Sequence, residues 1–279
     1  MKIIQSTTAM QATASELKQS GRRIGFVPTM GFLHEGHLSL MRVARERADT
    51  LVVSIFVNPT QFGPGEDFED YPRDLRRDET LCRDVGVDIL FYPSADDMYP
   101  PDFSTHVMET VLSKQLCGRA RPTHFQGVTT VVTKLFNLVQ PDFAVFGRKD
   151  AQQVLVIQRM VRDLNMPLRI TVAPTVREKD GLAVSSRNTY LDATQRQQAG
   201  SIYAGLKSAK RLWENGERDT QKLVVEVQSH IEQSGGTVDY VNLVSREQLR
   251  ELETVSEPAL LAVAAFFGTT RLIDNVYLG

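Results

Sequence analysis

The sequence predicts an α/β protein: a Rossmann-like, doubly wound parallel sheet over residues 1–176, followed by a smaller α+β lid domain over residues 177–279. Three observations predict it. Leu51–Val57 is apolar at almost every position, the signature of a strand buried on both faces. Such runs alternate with stretches of helical periodicity through the first part of the chain, which is the order of a parallel sheet with helices on both faces. After about Val176 the pattern changes to helices followed by strands with no long helix between them.

Taken in order, Arg23–Val27 is a short apolar run stopped by Pro28. Leu38–Ala48 places Leu38, Met41, Ala44 and Ala48 at helical spacing. Leu51–Val57 is the buried strand, and Asn58–Gly65, rich in Pro and Gly, is a loop. Arg73–Val85 reads as a polar surface helix and Val87–Tyr92 as a strand. Val128–Val139 is an amphipathic helix, Asp142–Phe146 a strand, Ala151–Leu164 a helix and Leu168–Val172 a strand. Right-handed crossovers then gather the loops after the strands along one edge, where ligands of such folds bind. Beyond the polar segment Glu178–Asn188, Thr194–Trp213 reads as one long helix and Leu223–Ile231 as another. Val238–Val244, Leu260–Phe267 and Leu272–Val276 read as strands. The boundary is expected between Val176 and Leu191.

Composition narrows the function classes. The chain has 279 residues, 42% of them hydrophobic and 24% charged, the balance of an ordinary globular protein. The formal net charge of −2 is spread along the chain, so no basic stripe points to nucleic acid or an anionic membrane. The longest apolar stretches fall far short of the roughly 20 residues of a membrane span. Met1–Met10 lacks the continuous apolar core and cleavage site of a signal peptide. Cys82 and Cys117, the only cysteines, form no C-x-x-C and no disulfide framework, so a cytoplasmic protein with bland thiols is expected.

Four short patterns carry chemistry. Pro28–His37 (PTMGFLHEGH) joins the first strand to the first helix. Amides at a helix start suit a polyphosphate, Gly36 would let a ligand approach the backbone, and His34 and His37 can donate to a phosphate oxygen as charge develops on it. The same His-x-x-His could instead be half of a metal site or a pair of surface histidines capping a helix; the pattern alone does not separate these readings. Phe146–Gln153 (FGRKDAQQ) again ends a strand and starts a helix, with Lys149 placed to offset phosphate charge; Asp150 could equally be a plain N-cap. Val184–Asn188 (VSSRN) puts two hydroxyls before Arg187, an anion-binding set or an ordinary turn. Asn58 and Gln61 add neutral polar groups after the second predicted strand. Three of these four fall just after predicted parallel strands.

Together the patterns resemble the pantothenate synthetase family over essentially the whole chain. The shared landmarks include Pro28–His37, FVNPTQF at Phe56–Phe62 and YPR at Tyr71–Arg73. They continue with HFQGV at His124–Val128, FGRKDAQQ at Phe146–Gln153, DGLAVSSRN at Asp180–Asn188 and RLIDN at Arg271–Asn275. The wider likeness is to nucleotidyltransferases with an H-x-G-H motif, including class I aminoacyl-tRNA synthetases, whose Lys-Met-Ser-Lys-Ser loop is similar in role to Ser185–Arg187. The resemblance implies condensation of pantoate with β-alanine at the expense of ATP, through a pantoyl adenylate, by a Mg²⁺-dependent homodimer. It implies that ATP is held by Met30, Gly31, Phe32, Leu33, His34, Glu35, Gly36 and His37, by Gly147, Arg148, Lys149 and Asp150, and by Val176, Val184, Ser185, Ser186 and Arg187. His37, His34, Lys149 and Arg187 would be catalytic. Gln61 and Gln153 would hold pantoate, Gln61 would also meet β-alanine, and Asp78 would lie near Mg²⁺.

Two positions depart from the family pattern: Arg148 stands where Glu is frequent, and Val184 where Met or Leu is common. Three other readings share some of these features. They are a nucleotidylyltransferase that leaves AMP on its product, an adenylate-binding regulator without turnover, and a metal hydrolase.

Overall fold

The computed structural model describes all 279 residues. The chain divides into two compact units, a larger one of residues 1–114, 118–148 and 152–174, and a smaller one of residues 115–117, 149–151 and 175–279.

In the larger unit six parallel strands form one sheet: β1 (Lys2–Ile4), β2 (Ile24–Thr29), β3 (Thr50–Ile55), β4 (Ile89–Phe91), β5 (Phe143–Gly147) and β6 (Arg169–Ala173), in the order β1-β4-β3-β2-β5-β6. Without the edge strand β1, this is the doubly wound order, and chain direction across the sheet reverses between β2 and β5. Both strands pair in parallel there, Gly25 opposite Phe143. Gly25 has no room for a side chain: a Cβ would stand 2.7 Å from the Phe143 ring and 2.8 Å from Ala48. Every residue of β3 is buried, as its nearly continuous apolar run leads one to expect.

The helices of this unit are α1 (Thr7–Gln19), α2 (Glu35–Arg45), α3 (Leu75–Val85), α4 (Ala95–Met98), α5 (Cys117–Ala120), α6 (His124–Val139) and α7 (Ala151–Asp163), the first residue of α5 and of α7 belonging to the smaller unit. β1 and α1 escape the sequence reading because α1 buries only Met10 and Ala14, too few apolar positions to show a period. Its start is local: the Ser6 side chain accepts from Ala9 N–H. Helix α3 keeps a polar composition, yet Asp78 and Cys82 on its inner side are buried. It ends at Gly86, which has φ +81° and lets Val87 N–H reach Cys82 O at 3.0 Å. Helix α6 begins at His124, four residues earlier than its apolar period suggests, because His124–Gly127 pack for other reasons described below.

The smaller unit is a three-stranded antiparallel sheet, β7 (Thr237–Ser245), β8 (Ala259–Phe267) and β9 (Thr270–Leu278), with α8 (Ala193–Ala199), α9 (Ser201–Glu214) and α10 (Thr220–Gln233). Strand β8 is buried along nearly its whole length. Its residues Leu261, Val263 and Phe267 share one core with Ile202, Leu206 and Val227 of the helices. The single helix expected over Thr194–Trp213 is two: the chain leaves regular helix at Gly200, the residue type that most easily permits a bend. No helix of either unit is long and apolar enough to cross a membrane.

Candidate active site

In the larger unit, the loop after β2 is built before any ligand arrives. Thr29 Oγ1 donates to Ser54 O at 2.8 Å and accepts from Gly31 N–H at 3.1 Å. Gly31 has φ +81°, and a Cβ there would stand 2.8 Å from Ile55 Cγ2, so only glycine fits. Phe32 follows with φ +47°, a strained value for a residue with a side chain. What holds it is Asp78 of α3. One carboxylate oxygen accepts from Phe32 N–H and the other from Leu33 N–H, each at 2.7 Å. The Arg77 guanidinium also lies over the Phe32 ring, 5.2 Å from its centroid. Asp78 is only 1% exposed. Burial pushes its carboxyl above the ordinary range, opposed by the two backbone N–H donors and by Arg77.

Residues 34–37 turn this loop into helix α2. His34 is its N-cap, and the His34 N–H donates to His37 Nδ1 at 3.4 Å. In the neutral imidazole that contact leaves the proton of His37 on Nε2, a donor for an incoming oxygen. The two rings stack with centroids 4.0 Å apart. Gly36 proves to make room for a ring: a Cβ there would stand 2.9 Å from two atoms of the His34 imidazole. The first N–H groups of α2 have no partners inside the helix and, with its positive dipole end, favour an anion. Glu35, the one carboxylate in this turn, is turned to Arg42 at 2.5 Å.

Gln61 belongs to the same loop system. Its Nε2 donates to Met30 Sδ at 2.9 Å, and its Oε1 accepts from Asn58 Nδ2 at 3.2 Å. Asn58 is buried, with Nδ2 also on Gly127 O at 3.2 Å and Oδ1 accepting from Thr60 Oγ1 and Tyr99 OH, both at 2.9 Å. The carbonyl of Gln61 meets His124 Nδ1 at 2.8 Å and Arg121 Nη2 at 3.2 Å. Gly127 lets this happen: a Cβ would stand 2.4 Å from Thr60 O. Asn58, Arg121 and His124 are therefore supports of Gln61 that sequence reasoning did not assign. The landmark at Phe56–Phe62 held Asn58 and that at His124–Val128 held His124, whereas Arg121 lies in none of the landmarks. Gly147 ends β5, across from β2 where the strand order reverses, Arg148 follows it, and Gln153 lies half-buried in the first turn of α7.

In the smaller unit, residues 176–184 form a hairpin. Val184 N–H donates to Val176 O at 3.0 Å, Glu178 N–H to Leu182 O at 2.8 Å, and Gly181 N–H to Glu178 O at 2.9 Å. Ser185 caps the turn that follows, its Oγ accepting from Arg187 N–H at 3.3 Å. Ser186 is buried, and Asn188 Nδ2 ties the turn to Ala183 O at 3.1 Å and Glu178 Oε1 at 3.0 Å. Val176, Val184, Ser185, Ser186 and Arg187 are thus one connected element. Lys149 and Asp150 belong to this unit as well, with Lys149 Nζ 3.7 Å from Asp150 Oδ1. The landmark at Arg271–Asn275 supplies its supports. Asn275 Nδ2 donates to Lys149 O at 2.9 Å, and Asp274 holds Arg177 of the hairpin in a two-pronged pair at 2.5 and 3.0 Å. Neither role was read from the sequence.

No three His, Cys, Asp or Glu side chains in the chain stand together as a metal cage. Each Asp78 oxygen is engaged by a loop N–H, so the task its geometry displays is to shape the loop. This donor set fits Mg²⁺ only in its usual form, carried largely by substrate phosphates and water. The thiols match the bland expectation in burial. Cys82 is pushed up to about 12 by burial beside Asp78 and Glu79, and Cys117 is buried with Sγ 3.1 Å from Tyr240 OH.

Comparison with known proteins agrees with this architecture. A family model described as pantoate-beta-alanine ligase matches residues 2–277. A pantothenate synthetase of Thermotoga petrophila is 56% identical over 280 residues, covering 100% of both chains. A crystal structure of pantothenate synthetase from Thermus thermophilus matches with a TM-score of 0.93 at 43% identity, covering 99% of each chain. That of pantoate-beta-alanine ligase from Francisella tularensis, complexed with beta-gamma ATP and beta-alanine, matches with a TM-score of 0.83 at 35% identity, covering 99% of this chain and 97% of that one.

Proposed function

The chain belongs to the pantoate–β-alanine ligase family, and from that premise we propose that it joins pantoate to β-alanine in two steps, through an enzyme-bound pantoyl adenylate. In the first step a pantoate carboxylate oxygen attacks the α-phosphorus of ATP, and the bond to the departing pyrophosphate breaks. In the second, the neutral amine of β-alanine attacks the acyl carbon, AMP leaves, and the amine gives up a proton. The first step brings two anions together, so its barrier is lowered by donors and cations already in place.

The observation that carries this reading is the preformed loop at residues 28–37. His37 Nε2, the start of α2 and His34 suit the phosphates. Lys149 and Arg187 are the cations for the reacting phosphate and the nucleotide. Gly147, Arg148, Asp150, Val176, Val184, Ser185 and Ser186 complete the nucleotide contacts. Gln61, fixed at both ends of its amide, and Gln153 hold pantoate, and Gln61 also meets β-alanine. Mg²⁺ bound with the nucleotide screens phosphate charge. The smaller unit acts as a lid that keeps water from the mixed anhydride. The homodimer and the cytoplasmic setting belong to the same reading, and light scattering of the purified protein tests the former.

The test is the half-reaction. With ATP, Mg²⁺ and pantoate but no β-alanine, the enzyme should exchange labelled pyrophosphate into ATP. Adding β-alanine should then release AMP and pantothenate in equal amounts. Exchange that strictly requires β-alanine would refute the adenylate, and no pantoate-dependent use of ATP would refute the substrate.

A further inference from the structure

We propose that the smaller unit carries a second anion site, for a compact polyphosphate or phosphoester, in a cavity of about 350 Å³ beside α9 that shares no residue with those assigned to ATP.

Tyr203, Lys207 and Arg211 follow one another at four-residue spacing and so share one face of α9. Lys179 of the hairpin turn and His230 of α10 complete the lining that matters here. Lys179, Lys207 and Arg211 make no ion pair, whereas Lys210 on the same helix is paired with Glu214 at 4.0 Å. Like charges one turn apart without a counter-ion destabilise a helix, and an anion between them removes that repulsion.

The carboxylates nearby are already engaged. Asp180 also lines the cavity, but its oxygens take Arg196 at 2.6 and 3.2 Å, and that hydrogen-bonded guanidinium holds its carboxyl below the ordinary range. Glu226 accepts from Ser208 Oγ at 2.6 Å and contacts His230 Nε2 at 3.2 Å. The cavity therefore presents an excess of positive charge.

Its wall is rigid. Gly181 has φ +97°, and a Cβ there would stand 2.4 Å from the Tyr203 ring, so the turn presses on that ring. On the ring face lies the Arg177 guanidinium, 3.7 Å from the centroid and anchored by Asp274. A recess with one fixed wall and three exposed, unpaired cations at its edge selects a small ligand with two or more negative charges; an extended polyanion would call for a charged stripe.

The experiment follows backbone amide NMR signals of residues 179–181, 203–211 and 230 in the full chain, at about 0.15 M ionic strength where long-range attraction is screened. Sodium pyrophosphate, inorganic phosphate and chloride are titrated separately. Saturable shifts are expected with pyrophosphate, at least about tenfold tighter than with phosphate, as one added charge-assisted contact provides. The variant Lys207→Ala, Arg211→Ala should weaken pyrophosphate at these amides by at least about tenfold. The pyrophosphate shifts of residues 31–37 should be unchanged. Should that variant unfold, Lys179→Ala serves with the same expectation. Shifts that rise linearly and equally with chloride at matched ionic strength would mean a solvated basic helix face and overturn the site. So would saturable binding that neither variant weakens.

Discussion

The loop at residues 28–37 and the hairpin at residues 176–188 both carry residues proposed to hold ATP, yet they are built by different means. The loop makes few hydrogen bonds to itself. Its shape comes from a buried carboxylate on α3, remote in sequence, together with a glycine at φ +81° and a phenylalanine forced to φ +47°. The hairpin supplies most of its own scaffold, with a short antiparallel ladder, a serine cap and an asparagine tie; its outside ties are Asp274 on Arg177 and the pairs to Arg196 at its rim. The difference is one of preorganisation. Donors fixed by a core contact cost no rearrangement when charge develops, whereas a self-supporting hairpin can be repositioned as a piece.

The largest effect that would sharpen this contrast is on turnover. His37→Ala and Lys149→Ala should each lower kcat by on the order of 10²–10³ with the fold intact, as loss of a positioned phosphate donor does. Ser185→Ala should lower it by only about tenfold, since the backbone ladder still shapes the hairpin. Steady-state kinetics on folded variants decide it, and equal losses at all three would erase the distinction.

The next effect is on the loop itself. In Asp78→Asn one oxygen is replaced by an amide donor that faces an N–H, so one of the Phe32 and Leu33 amides loses its partner. Unfolding by denaturant should show a loss of about 1–3 kcal/mol, with a raised KM for ATP. An unchanged KM would show that the carboxylate serves the fold alone.

Arg196→Met removes pairs to Glu178 at 2.6 Å and Asp180 at 2.6 Å. These are half-exposed, and at most about 1 kcal/mol should be lost. A larger loss would mean that the hairpin's shape rests on its rim pairs as the loop's rests on Asp78.

The smallest effect is in the pH dependence of stability. Burial pushes the Glu66 carboxyl up, but the Arg121 hydrogen bond and charge, with a backbone hydrogen bond from Gly63 and the nearby His124, outweigh it and hold it below the ordinary range. A depressed carboxyl stabilises the fold above its unfolded pKa of about 4.3 and loses that contribution as pH falls through the folded value. Asp78, pushed up, has the opposite sign: its contribution is present at low pH and is lost as pH rises through its raised value. Glu66→Gln should therefore flatten the fall in Tm between about pH 5 and 3, by less than about 1 kcal/mol. A steeper fall in that variant would reverse the sign assigned to Glu66.

What was legible from the residues alone is what local pattern can encode. Nearly continuous apolar runs such as Leu51–Ile55 mark strands covered on both faces. The alternation of strand and helix fixes a parallel sheet, and with it the edge where residues 30–37 and Gly147 emerge. The residue types of those loops suggested a phosphate chemistry, and the landmarks along the whole chain carried the resemblance to a family. Tertiary structure decided the contacts that depend on distant residues meeting. Nothing in the polar composition of α3 says that Asp78 faces inward to close the loop over Phe32 and Leu33, and only packing against β3 and α2 selects that face. The same holds for Asn275 beneath Lys149, for Asp274 on Arg177, and for Gly127 admitting the Gln61 turn. Each is a polar or small residue whose task is set by a neighbour more than a hundred positions away or on another element. Periodicity reports which face of an element is apolar. It carries no record of which buried polar group will meet which orphaned amide, because that pairing exists only once the core has closed.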